Sequence, residues 1–454
     1  MKKGVFLGLL LSLLLLAACS AEPQTAPTQT EKTINAGAFY TSGRKALESS
    51  KNLMLDYSLV ETRTVGDSTF TKKVSGKASY QGYARENMLA KVVETLDFGY
   101  YRCDYCEFYY GNQAYATVND SYFWSNQSQE VFVSRQLPPV LLTTALYDTI
   151  QYGENQRTVQ FSDPRNMEAW VGEGQLLEAS GQAELDGDGR LLRTTYQAKY
   201  RKGAAEYTLS VTVQVSMPEQ LDLSDIQKTD VQSSVWLSDL DAPRRLVQVV
   251  ADVYSAKSLT CELAETIISE AVPLSYTRSS HVSFYGRDAD LVAVVLNNSK
   301  LSNNRGVITQ TSQEEQFGKG VYTVSVDGGD PNKNGSITAV SMRQYCEDTI
   351  LSGLLAAKYL RSASAKTDGK LLHLELGGDI AFREMMTSHL KDVLQVDLDA
   401  LAEVAQNHNA GGYLTVDLET GLPVSLGMFM EKSHTIDGIT YNLDYYLSET
   451  LKFT

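Results

Sequence analysis

GQAELDGDGRLLRTTYQAKYRKGAAEYTLSVTV, residues 181–213, and GYLTVDLETGLPVSLGMFMEKSHTIDGITYNLDYYL, residues 412–447, follow one plan. Each opens with a short run, breaks at an acidic turn, Asp186 or Asp417, and resumes as a strand that alternates apolar and polar residues. A second polar turn follows, then a strand led by Tyr207 or Tyr441. Alternation with period two sends successive side chains to opposite faces of a sheet. Clusters of Asp and Gly between such runs are hairpin turns. The chain is therefore rich in antiparallel strands, and it repeats its text after about 230 residues, the mark of a duplicated unit.

The repeat extends outward from these hairpins. GRKALESSKNLMLDYSLVET, residues 43–62, and PRRLVQVVADVYSAKSLTCELAET, residues 243–266, each begin as an amphipathic helix and run on into a strand. LLTTALYDTIQYGENQRTVQFSD and LLAAKYLRSASAKTDGKLLHLELGGD each read as a short apolar helix before a hairpin. The sequence thus predicts an α+β protein of two tandem domains, residues 36–222 and 244–454, each of ordinary domain size. The polar stretch LSDIQKTDVQSSVWLSDLDAP, residues 223–243, has no strong periodicity and reads as the linker between them.

The N-terminus, MKKGVFLGLLLSLLLLAACS, sets two lysines before an apolar run from Val5 to Leu16. A spanning helix needs about 20 apolar residues, so this is a secretion signal over residues 1–18. Leu16-Ala17-Ala18-Cys19 resembles the bacterial lipobox, which implies cleavage before Cys19 and acylation of that cysteine. Residues 19–35, rich in Pro, Thr and Gln, are then a flexible tether whose extended reach is roughly 50 Å. The expected location is the extracytoplasmic face of a cell membrane, with lipid rather than a helix as the anchor. The formal net charge of −15, more acidic still once Lys2 and Lys3 are removed, makes nucleic acid a poor partner for the body.

A leading helix, a long meander broken by short helices and a closing pair of hairpins resemble the LolA/LolB and LppX/LprG lipoprotein superfamily, across nearly all of residues 36–454. The resemblance implies that each domain is a curved antiparallel sheet, a half-barrel packed on a few helices around an apolar groove. It implies a non-enzymatic protein that binds a hydrophobic or amphiphilic ligand. No single position matches a ligand contact of that family. The doubling of the domain and the permanent anchor depart from its single-domain shuttles.

Cys103 and Cys106, in YYRCDYCEFYYG, raise redox, metal and structural readings. Thioredoxin-type chemistry needs a helix N-terminus to lower the thiol pKa, and the flanks here are β-forming aromatics. Cys261 and Cys346 are too widely separated to complete the two close pairs of a zinc site. In a straight strand, thiols three residues apart point to opposite faces and cannot bond. The structural reading therefore expects a turn at Asp104-Tyr105, closed by a disulfide or reduced.

None of the five histidines, His281, His373, His389, His408 and His434, sits in a metal-ligand spacing, and no nucleophile elbow, phosphate loop or dinucleotide fingerprint occurs. The chain is read as a non-enzyme without cofactors. Asp330, Asn332 and Asn334 stand at the first, third and fifth positions of a calcium-loop pattern. The twelfth position is Ser341 rather than a bidentate carboxylate, so a plain hairpin loop is the better reading.

Eleven of the 27 residues from Phe98 to Trp124 are aromatic, against 9% in the chain, too many for one core face. Tyr101, Tyr110, Tyr115, Tyr122 and Trp124 are the candidate ligand-binding residues, since tyrosine and tryptophan join apolar area to a polar handle. The alternative to a lipid or other amphiphile in a groove is a docking protein that holds an envelope protein or a cell-wall glycan on these aromatics.

Overall fold

In the computed structural model, residues 36–83, 85, 87–119, 121–136, 149–152, 156–161, 174–223, 234–269, 274–333, 337–351, 360–366, 370–377, 408–436 and 439–453 are described. The signal, the tether and Cys19 lie outside them, as do the two segments expected to form short apolar helices before hairpins, residues 141–148 and 354–359.

Helix α1 (Ala36–Ser49) leads into β1 (Asn52–Val65), β2 (Ser68–Gln81), β3 (Leu89–Asp97), β4 (Arg102–Tyr110), β5 (Gln113–Val118) and β6 (Ser121–Asn126). Helix α2 (Gln129–Gln136) precedes β7 (Thr149–Tyr152), β8 (Gln156–Phe161), β9 (Gln175–Asp186), β10 (Leu191–Lys202) and β11 (Ala205–Ser216), and the short β12 (Val235–Trp236) follows. The second half repeats the order. Helix α3 (Ala242–Ser255) leads into β13 (Ser258–Ser269), β14 (Leu274–Tyr285), β15 (Val292–Asn303), β16 (Gly306–Gly318), β17 (Val321–Val326) and β18 (Asn332–Lys333). Helix α4 (Ala339–Leu351) precedes β19 (Leu360–Lys366), β20 (Leu371–Gly377), β21 (His408–Asp417), β22 (Pro423–Ile436) and β23 (Ile439–Phe453).

The strands form two large, open sheets, ordered β12-β6-β5-β4-β3-β2-β1-β11-β10-β9-β8-β7 and β18-β17-β16-β15-β14-β13-β23-β22-β21-β20-β19. In both, the first strand of the half pairs antiparallel with its last, β1 with β11 and β13 with β23. The two acidic turns that begin the closing hairpins are built alike. Asp186 accepts from the backbone N–H groups of Asp188 and Arg190 at 2.9 and 2.8 Å, and Asp417 from those of Glu419 and Thr420 at 2.7 and 3.4 Å. A short carboxylate that bonds its own following backbone fixes the turn, and with it the register of the strands on either side.

Pairing assembles the core of the first sheet from alternate positions of seven strands. Gly181, Tyr196, Val211, Leu59, Val74, Leu96 and Cys103 stand side by side in one row. Cys103 is thus a core residue. Residues 102–110 run as one strand, so the turn expected at Asp104-Tyr105 does not form, Cys106 faces the other side, and neither thiol forms a disulfide. The reason is the alternation itself: Cys103, Tyr105, Glu107 and Tyr109 all point inward and are buried there.

The halves do not keep separate cores. Leu246, Val247 and Val249 of α3, together with Leu263, Leu374, Leu414 and Leu426 of the second sheet, join one hydrophobic cluster with Leu53, Val74 and Leu96 of the first. Phe70 of β2 packs in a second cluster with Val250, Leu259 and Val282. Ala36–Thr454 is accordingly one compact unit. The stretch read as a linker is also structured where it is described: Val235 and Trp236 pair parallel with Phe123 and Trp124, while Leu237 and Leu240 are buried in the common core. Among its described apolar residues Leu223, Leu237, Leu240 and Ala242 are buried, whereas Trp236 stays exposed.

Candidate functional site

On the inner face of the first sheet the apolar row containing Leu59, Val74 and Leu96 lies between two polar rows. One carries Tyr57, Glu94 and Tyr105; the other carries Glu61 and Lys72, with Arg63 beyond. Above these rows a cavity of about 360 Å³ is bounded by Phe98, by Arg135 and Gln136 of α2, by Arg244, Arg245 and Gln248 of α3, and by Val416, Leu418 and Gly421 of the second half.

Most of the charged residues around it are held against a residue of opposite charge. Arg63 meets Asp252 at 2.7 Å, Lys72 meets Glu61 at 2.8 Å, and Arg244 meets Glu94 at 2.7 Å while its guanidinium lies 3.9 Å from the Tyr105 ring centre. Arg135 binds Glu107 and, at 3.0 Å, Asp241. Glu107, fully buried, also accepts from Tyr105 Oη at 2.9 Å and Gln136 Nε2 at 2.6 Å, which satisfies a carboxylate that would otherwise be costly inside.

These environments shift the titrations. Burial, and then the Glu94 carboxylate to which its hydroxyl donates at 2.6 Å, push Tyr57 far up. Burial disfavours the charged form of Arg244, but Tyr105, Glu94 and Asp241 beside it more than offset that and hold it above its ordinary value. Burial raises the Asp252 carboxyl even with Arg63 against it. Burial acts the same way on Glu61, but Lys72 outweighs it and the net shift is downward.

Tyr57 reaches across its neighbour strand because residue 76 is glycine: a Cβ there would run into the tyrosine ring. The second half closes the cavity's other side. Tyr207 Oη donates to the Glu419 carbonyl at 3.0 Å, and Gly421, with φ at +70°, leaves its space to the Arg63 guanidinium.

The aromatic candidates take other places. Tyr110, Tyr115, Tyr122 and Trp124 come together on the outer face of the first sheet. There Lys91, Phe108, Tyr115, Trp124 and Trp236 form a lateral row over five strands. Tyr110 stacks on Tyr115 at 5.0 Å, and Lys91 lies 5.5 Å from the Phe108 ring centre. Trp236 joins the row through β12, which no local signal announced. Tyr101 stands apart, stacked on Tyr254 at 6.4 Å. The cavity residues were not foreseen, since they come from distant segments and share no motif.

Of the remaining candidates, Asn332 pairs through β18 with Val324, as a hairpin requires, whereas Asn334 lies outside the described residues. Among the described residues no group of three His, Cys, Asp or Glu side chains is placed to hold a metal ion. His281 faces Glu262 at 2.6 Å on the neighbouring strand, and His373 stacks on Tyr413.

No protein-family model matches the chain, and no curated protein matches it. Solved structures that resemble it include LprF from Mycobacterium bovis, at 9% identity and a TM-score of 0.24 over 41% of this chain and 95% of that one. A DUF1329 family protein from Desulfovibrio piger matches at 10% identity and a TM-score of 0.20 over 42% and 95%. These likenesses are too distant to carry a function to this chain.

Proposed function

We propose that this is a non-enzymatic lipoprotein, anchored through Cys19 on the extracytoplasmic face of a cell membrane, that holds an amphiphile in the cavity of its first sheet. The observation that carries the reading is the cavity of about 360 Å³, whose apolar row is flanked on both sides by charged rows. Ligand sites typically occupy about 300–1,000 Å³ and combine apolar walls with a few fixed polar groups. A molecule with an apolar body and a polar head matches that pattern. The test is organic extraction of the protein purified from its own membrane, followed by mass spectrometry. A stoichiometric lipid beyond the acyl groups on Cys19, depleted in a Leu96→Trp variant that fills the cavity, supports the reading; a clean extract counts against it.

A second reading is favoured by the outer aromatic row. Exposed Tyr122 and Trp236, with half-buried Phe108 and Trp124 beside them, form a surface on which an envelope protein or wall glycan would dock. Cosedimentation with purified wall material, abolished by Trp236→Ala, would favour it.

A further inference from the structure

We infer that the amphiphile's head is anionic and that Arg245 receives it. The inference rests on the cavity reading above and extends it to the chemistry of the ligand.

Each of the other cations lining the cavity has an acid of its own: Arg63 has Asp252, Lys72 has Glu61, Arg135 has Glu107 and Asp241, and Arg244 has Glu94. Arg245 lines the same cavity, and among the described residues no acidic side chain pairs with it. Arg63, Lys72 and Arg244 thus each face one acid and Arg135 faces two, whereas Arg245 faces none among the described residues, so Arg245 is the cation of the lining left to meet an anion.

The position of Arg245 strengthens that charge. Arg244 and Arg245 stand near the start of α3, which has no acidic residue in its first turn. The partial positive charge of a helix dipole lies at that end, where acids stabilise and arginines do not. Asp241, at the cap position, makes no side-chain capping bond, and its carboxylate is turned to Arg135 instead. Glu94 and the Tyr105 ring account for Arg244, but helix stability gives no reason for Arg245, whereas an anion in the cavity does.

A second donor belongs to the same lining. Arg63 is 6% exposed and lines the cavity, yet among the described residues its Nε has no hydrogen-bond partner. Buried donors are nearly always satisfied, and an orphaned one beside a free cation suits the second oxygen of an anionic head. A carboxylate and a phosphate ester share this chemistry.

The test uses the full-length Cys19→Ala protein and four probes of one chain length, dodecanoate, dodecyl phosphate, dodecanol and dodecylammonium, titrated below their micellar concentrations by calorimetry. The two anions should bind about tenfold more tightly than the alcohol, in keeping with a charge-assisted contact. Arg245→Gln should bring the anions to the level of the alcohol and leave the alcohol unchanged, while Arg245→Lys should restore part of the preference. Because Arg245 is partly exposed and has no acidic partner among the described residues, these variants should melt like the parent. Tighter dodecanoate would point to a fatty acid, tighter dodecyl phosphate to a phospholipid head, and either supports the inference. Equal binding of all four probes, or an anion preference that survives Arg245→Gln, overturns the inference while the cavity reading stands. If none of the four binds, the cavity reading falls and the inference with it.

Discussion

The guanidinium of Arg63 meets the carboxylate of Asp252 at 2.7 Å, with the two side chains 7% and 1% exposed. Arg63 belongs to β1, the central strand of the first sheet, and Asp252 to α3, the helix that opens the second half. Gln248 adds a bond to the same carboxylate at 2.8 Å, and the Phe70 ring lies 4.7 Å under the guanidinium. The pair is thus a buried tie between the repeats, at the wall of the candidate site.

Arg63→Ala should destabilise the protein by about 3–5 kcal/mol, because it leaves Asp252 buried without its partner. Replacing both residues by leucine should cost much less than the sum of the single changes, and urea unfolding of the four proteins measures the difference. The Arg63→Ala deficit should also depend on pH. The Asp252 carboxyl already lies above its ordinary range through burial, and losing Arg63 raises it further. A folded-state carboxyl raised above its unfolded value takes up protons on folding. The variant should therefore regain stability as pH falls through that raised pKa and lose it as pH rises.

Gly76→Ala should cost about 1–3 kcal/mol, the range for overpacking a filled site, because the new methyl runs into the Tyr57 ring. Displacing that ring also moves the hydroxyl that donates to Glu94. The loss should show in the unfolding midpoint, and Gly76→Ala with Tyr57→Phe should recover little, since the ring and not the hydroxyl is in the way. A midpoint equal to the parent would mean that the ring does not lie over residue 76.

What could be read from the sequence was local. The acidic turns at Asp186 and Asp417, the alternation on either side of them and the amphipathic start of α3 act within a few residues, and the structure repeats them in both halves. What could not be read depends on pairing between distant segments. Nothing near Arg63 announces Asp252, and two residues, Val235 and Trp236, are too short a run to signal a strand that edges a sheet. The candidate cavity belongs to this second kind, since its lining comes from both repeats. The cysteine pair failed for the converse reason: CDYC looks like a turn, but the alternation of its neighbours carries straight through it.

The thiols should report that strand directly. Burial pushes Cys103 up to about 11 and Cys346 to about 12, and it raises Cys261 as well, so all three hold little thiolate at pH 8. Cys106 is only half-buried and lies on the outer face. A thiol reagent should modify Cys106 first in the native protein, and the other three should react only as it unfolds. Recovery of a peptide crosslinked between Cys103 and Cys106 under non-reducing conditions would restore the disulfide-closed turn.

The two sides of the first sheet give the sharpest separation between the functional readings. Tyr110 and Trp124 lie on the outer face, while Leu96 lines the cavity on the inner one. If the ligand is an amphiphile in the cavity, Tyr110→Ala and Trp124→Ala should leave the extracted lipid at the parental ratio. Each should lower stability by about 0.5–1.5 kcal/mol through lost ring packing, the usual worth of an aromatic pair. Leu96→Trp should remove most of the lipid, because the larger ring occupies the apolar row between Val74 and Cys103. Lipid extraction and thermal melting of the three variants side by side decide the matter. Loss of lipid in the outer-face variants, with Leu96→Trp unaffected, would move the binding site to the aromatic row.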